Sequence, residues 1–107
     1  MEEERQITTA AFEWRGVTVS VSYEPNWLNM RATRWDMARS HLEVRAVAPE
    51  GARLPITETG YRSYFLHPDD VTEAGGPAEY VRAWLDHAAQ SPEWRRRVEA
   101  ARQLTLF

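Results

Sequence analysis

The sequence contains no cysteine and no lysine. The first absence excludes disulfides, thiolate catalysis and zinc ribbons together, and leaves packing to hold the fold. The second makes arginine the only strongly basic side chain, with 13 copies spread along the chain. Guanidinium groups suit bidentate contacts to phosphate or carboxylate, but an even scatter is also what a GC-rich coding sequence produces. No apolar run approaches the roughly 18 residues of a membrane-spanning helix. The opening MEEERQ is acidic and no apolar stretch follows it, unlike a secretion signal. A formal net charge of -3 and a pI near 5.6 give no global attraction for nucleic acid or anionic membrane. These features point to a cytoplasmic monomer without membrane contact, metal or other cofactor.

What is present is enough for one core. The chain has 107 residues, 43% of them hydrophobic, and five tryptophans supply much of the area to bury. Residues 1–8 read as a flexible acidic tail. From Phe12 to Tyr23, Val17, Val19, Val21 and Tyr23 alternate with Thr18, Ser20 and Ser22, the period of a half-buried strand. Arg15-Gly16 offers a two-residue hairpin turn that pairs Trp14 with Val17 and Phe12 with Val19. Pro25 is expected to end that strand, and Asn26 to Ser40 to form a long ordered loop. A third strand follows over HLEVRAVAP, and a weaker fourth element over LPITETGYRSYFL has its strand from Tyr61 to Leu66.

The remainder is helical. PDDVTEAGG reads as a short helix stopped at Gly75, and Pro77 opens a second with Val81, Trp84, Leu85 and Ala88 on one face. Ser91-Pro92 is a cap followed by a first-turn proline, starting a last helix whose inner stripe is Trp94, Val98 and Ala101. Strands followed by helices predict an α+β domain over residues 9–102. Its small antiparallel sheet has three or four strands, with two or three C-terminal helices on one face.

Enzymatic signatures are scarce. There is no phosphate-cradling glycine loop, no nucleophile elbow and no HExxH. His67-Pro68-Asp69-Asp70, with Asp86-His87, is the best candidate for a metal, but carboxylates in a first helical turn already offset the helix dipole. His41 reads as structural or exposed. No residue set argues for catalysis. Two arginine groups could touch nucleic acid: Arg31, Arg34, Trp35 and Arg39 in the long loop, and Arg95-Arg96-Arg97 in the last helix. The first combines phosphate ligands with an aromatic ring for base stacking.

The last five residues carry the most specific signal. Gln103-Leu104-Thr105-Leu106-Phe107 closely resembles the peptide by which bacterial replication and repair proteins bind the DNA sliding clamp. That motif generally runs Gln-Leu, then Ser or Asp, then Leu-Phe, and Thr105 keeps the hydroxyl of Ser. The resemblance implies that Gln103 hydrogen-bonds at the rim of the clamp's groove. Leu104 would sit at the entrance, and Leu106 with Phe107 would fill the deep apolar pocket. Residues 103–107 are then a docking tail. The alternative is that these side chains close the protein's own core. LPITETGYRSYFL also resembles a stretch in small bacterial proteins of plasmids and other mobile elements. An accessory role in replication, repair or element maintenance would follow.

Overall fold

The computed structural model describes residues 6–28 and 32–104. Strand β1 (Thr8–Trp14) turns through Arg15 and Gly16 into β2 (Val17–Leu28). Both turn residues have positive φ, 48° and 84°, the conformation in which a two-residue turn matches strand twist. Trp14 pairs with Val17 and Phe12 with Val19, as the alternation predicts. β3 (Arg39–Ala48) and β4 (Tyr61–Leu66) complete an antiparallel sheet of order β1-β2-β3-β4. Three helices follow, α1 (Pro68–Glu73), α2 (Pro77–Ala88) and α3 (Pro92–Leu104), so the fold is α+β.

One face of the sheet carries the core. Val19, Val21 and Tyr23 of β2 and Leu42 and Val44 of β3 meet Val71 of α1 and Val81 and Leu85 of α2. Leu54 and Ile56, from the β3–β4 connection, close the same cluster. Ser40 is fully buried, and its hydroxyl donates to the Leu66 carbonyl at 2.8 Å, so its burial leaves no unmet polar group. Tyr80 on α2 lies by Trp84, with ring centroids 6.3 Å apart. Burial raises its phenol above the ordinary pKa, and Tyr64 and the Asp70 carboxylate push in the same direction.

Two expectations are corrected. β2 does not end at Pro25 but runs to Leu28. The ladder with β3 breaks between Glu24 and Leu28, so Pro25 falls in an irregularity where its missing N–H costs no paired bond. The loop expected from Asn26 to Ser40 is correspondingly shorter. It holds a 3₁₀ segment, Ala32–Met37, kinked at Arg34, and gives way to β3 at Arg39.

His67 secures that segment and starts α1 at once. Its Nδ1 accepts from the Asp69 backbone N–H at 3.0 Å, which caps the helix, and its Nε2 lies 2.7 Å from the Trp35 carbonyl. With Nδ1 accepting, Nε2 carries the proton and donates. Replacing His67 by Ala removes both bonds and is expected to cost about 1–2 kcal/mol. His67→Asn, which keeps a capping acceptor, should recover part of the loss. Urea midpoints of the three proteins check this, and an unchanged midpoint for His67→Ala contradicts it.

Candidate functional site

α3 is built to start firmly and then leave the core. The Trp94 backbone N–H donates to Ser91 Oγ at 3.1 Å, Pro92 occupies the first turn, and Glu93 faces the positive helix end. Trp94 packs on Trp14 at 6.0 Å between centroids. Trp14 in turn donates its indole N–H to Asp86 Oδ1 at 2.9 Å. One turn on, Arg97 reaches Glu58 Oε1 at 2.9 Å and ties the helix to the β3–β4 connection. The indole N–H of Trp94 is buried without an acceptor among the described residues.

Trp94 packs on the core as the stripe predicts, but beyond Arg97 its continuation, Val98 and Ala101, is exposed, which corrects that part of the sequence-based reading. No residue of α3 is fully buried, and Val98 is 39% exposed. The periodicity is real, but past the first turn it does not bury these side chains. A groove of about 320 Å³ separates Val98 and Ala101 from Gly51, Ala52 and Arg53. Gln103 and Leu104 form the end of this helix, past the expected domain limit at 102. Leu104 is 77% exposed and does not fold back on the core. Thr105, Leu106 and Phe107, the rest of the clamp-like peptide, lie outside the described residues.

The arginine-tryptophan segment is braced internally. Arg31 lies outside the described residues. Trp35 donates its indole N–H to Asp69 Oδ2 at 2.9 Å and meets His67 edge-on at 5.1 Å. Arg34 contacts Met37 Sδ, and Arg39 donates to the Ala38 carbonyl at 2.7 Å. The structure therefore joins Trp35 to the His67–Asp69 motif, two groups the sequence treats separately. Within that motif both imidazole nitrogens are engaged in holding the chain. Asp86 serves Trp14, and no group of three or more metal-ligating side chains converges among the described residues.

A further constellation, on the helix-free face of the sheet, was not legible beforehand. His41 stacks on Phe65 at 4.4 Å, Trp27 lies against Phe65 at 4.5 Å, and His41 Nε2 hydrogen-bonds Ser63 Oγ at 2.6 Å. Glu24 and Glu43 flank His41 beside a cavity of about 170 Å³. Serine and histidine at this distance suggest a nucleophile and its base. However, Glu43 Oε1 is 3.9 Å from His41 Nδ1, too far for the hydrogen bond that orients such a base. The cluster is a cross-strand row, assembled by the register His41↔Phe65 and Glu43↔Ser63. Only the long β3–β4 connection sets that register, so local pattern could not reveal it.

Comparison with known families adds one match. The family model described as KlcB third domain covers residues 7–94, from the residue before β1 to Trp94 in the first turn of α3. No curated protein and no solved structure matches the chain.

Proposed function

We propose that this chain, which belongs to the KlcB third-domain family, is a non-enzymatic interaction module that docks on the bacterial replication sliding clamp through Gln103–Phe107. The carrying observation is the QLTLF peptide in the sequence, whose first two residues, Gln103 and Leu104, end a helix with no fully buried residue. Leu104, at 77% exposure, is available to a partner. The peptide lies outside the segment matched to the family, as an appended docking element would. Leu106 and Phe107 would each contribute roughly 1.5–3 kcal/mol of apolar burial before ordering costs. Such an anchor suits an exchangeable contact, and the clamp would then concentrate the domain at replicating DNA. An accessory role in replication, repair or mobile-element maintenance fits this arrangement. Titrating purified clamp into the full chain and into a chain lacking Gln103–Phe107 tests it. Binding by the first and not the second is expected, and equal affinity or no binding by either contradicts it.

A second reading is nucleic-acid contact through Arg31, Arg34, Trp35 and Arg39. In its favour, Trp35 remains 41% exposed, with Arg34 and Arg39 exposed beside it. Single- and double-stranded DNA titrated at two salt concentrations should then show affinity that falls steeply with salt. A salt-insensitive or absent signal removes this reading.

A further inference from the structure

The sheet has two edges, β1 and β4, and they are finished differently. β4 carries Arg62, and at its start the hydroxyls of Thr57 and Thr59 donate to the Tyr61 carbonyl at 2.7 and 3.1 Å. A charge on the strand and a chain segment bound at its end are ordinary ways of blunting an edge. β1 has neither. From Gln6 to Phe12 the sequence is QITTAAF, with no charge, no proline and no glycine, and Thr8 to Ala11 are exposed.

The hairpin determines which backbone groups β1 offers. A two-residue turn closes on a hydrogen-bonded pair, here Trp14↔Val17, and bonded pairs then alternate along the ladder. Phe12, Ala10 and Thr8 therefore spend their amide groups on β2. Thr9, Ala11 and Glu13 direct theirs outward, along the outer edge of the described sheet. An extended strand could pair with this row.

We propose that the occupant is a second copy of this chain, paired antiparallel through β1 about a two-fold axis at Ala11. The strand is complementary to itself in this register. Ala11 faces Ala11 of the second copy, and Thr9 faces Glu13, so the carboxylate meets a hydroxyl and not its own equivalent. On the helix side Ala10 faces Phe12, a small residue against a large one. About six backbone hydrogen bonds form, two for each of three facing pairs. The helices of both copies lie on one side of the continuous sheet. This departs from the expectation of a monomer and stands independently of the clamp proposal.

Sedimentation equilibrium of the full chain over a wide range of concentration tests the pairing. The apparent mass is expected to rise from 12.4 kDa toward twice that value. Ala11→Lys places two like charges opposite each other at the axis and should weaken association at least about tenfold. Ala11→Pro removes an outward N–H that β2 does not use, and should likewise stay monomeric. Ala11→Val preserves the edge and should associate like the parent. Far-ultraviolet circular dichroism establishes which variants fold, and Ala11→Lys alone decides if the proline variant does not. A parent chain that remains at 12.4 kDa throughout, or an Ala11→Lys protein that associates equally well, overturns the proposal.

Discussion

Replacing Leu106 and Phe107 together by alanine is expected to abolish clamp binding while leaving the fold untouched. Two buried apolar anchors at roughly 1.5–3 kcal/mol each sum to about 3–6 kcal/mol, a loss of about 10²–10⁴ in affinity. A short peptide has little other area with which to compensate. On the docking reading the thermal midpoint should not move, and the core found among the described residues is drawn from elsewhere in the chain. It consists of Trp14, the β2–β4 inner face, Leu54, Ile56 and the inward sides of α1 and α2. Gln103→Ala should cost less, since it removes one hydrogen bond at a groove rim and not a buried anchor. Surface-immobilised clamp and calorimetric melting of the same samples check both halves of the prediction. A lowered melting point in the double variant would indicate that these side chains serve the domain's own stability.

The second large effect lies at Trp14, which joins the hairpin to two helices. It is 4% exposed, donates to Asp86 on α2, and packs against Trp94 on α3. The Arg15 guanidinium covers the ring at 4.8 Å from its centroid. Trp14→Ala removes a large buried side chain and leaves a cavity, for an expected loss of about 3–5 kcal/mol. That is a large part of the roughly 5–15 kcal/mol that holds a typical domain. Trp14→Phe keeps much of the apolar contact and loses the charge-assisted hydrogen bond, so about 1.5–3 kcal/mol is expected. Denaturant unfolding with Asp86→Ala as the second arm of a double-mutant cycle separates the two contributions. A Trp14→Ala protein within about 1 kcal/mol of the parent would mean that the three elements are held independently.

Where the sequence specifies structure locally, it could be read. The Arg15-Gly16 turn and the alternation from Val17 to Tyr23 agree on one register, and that register is found. Ser91, Pro92 and Trp94 form the expected helix start because capping needs only neighbours along the chain. Pro25 misled because a proline normally ends a paired strand, whereas here a break in the ladder accommodates it. Val98 and Ala101 misled for a different reason. Periodicity shows which helix face is apolar, but not whether anything lies against it. The row of Trp27, Phe65, His41 and Ser63 depends on long-range register, which no local pattern encodes.

The candidate docking peptide was legible for the opposite reason. Its signal is a short string of side chains, and it needs no fold to be recognised. Of that string the described residues include Gln103 and Leu104, which close α3 with no fully buried residue in the helix. The most direct test is competition on purified clamp between the full chain and the isolated peptide Gln103–Phe107. The account predicts that the whole chain binds and that excess peptide displaces it completely. Binding that survives saturating peptide, or no binding at all, would contradict it.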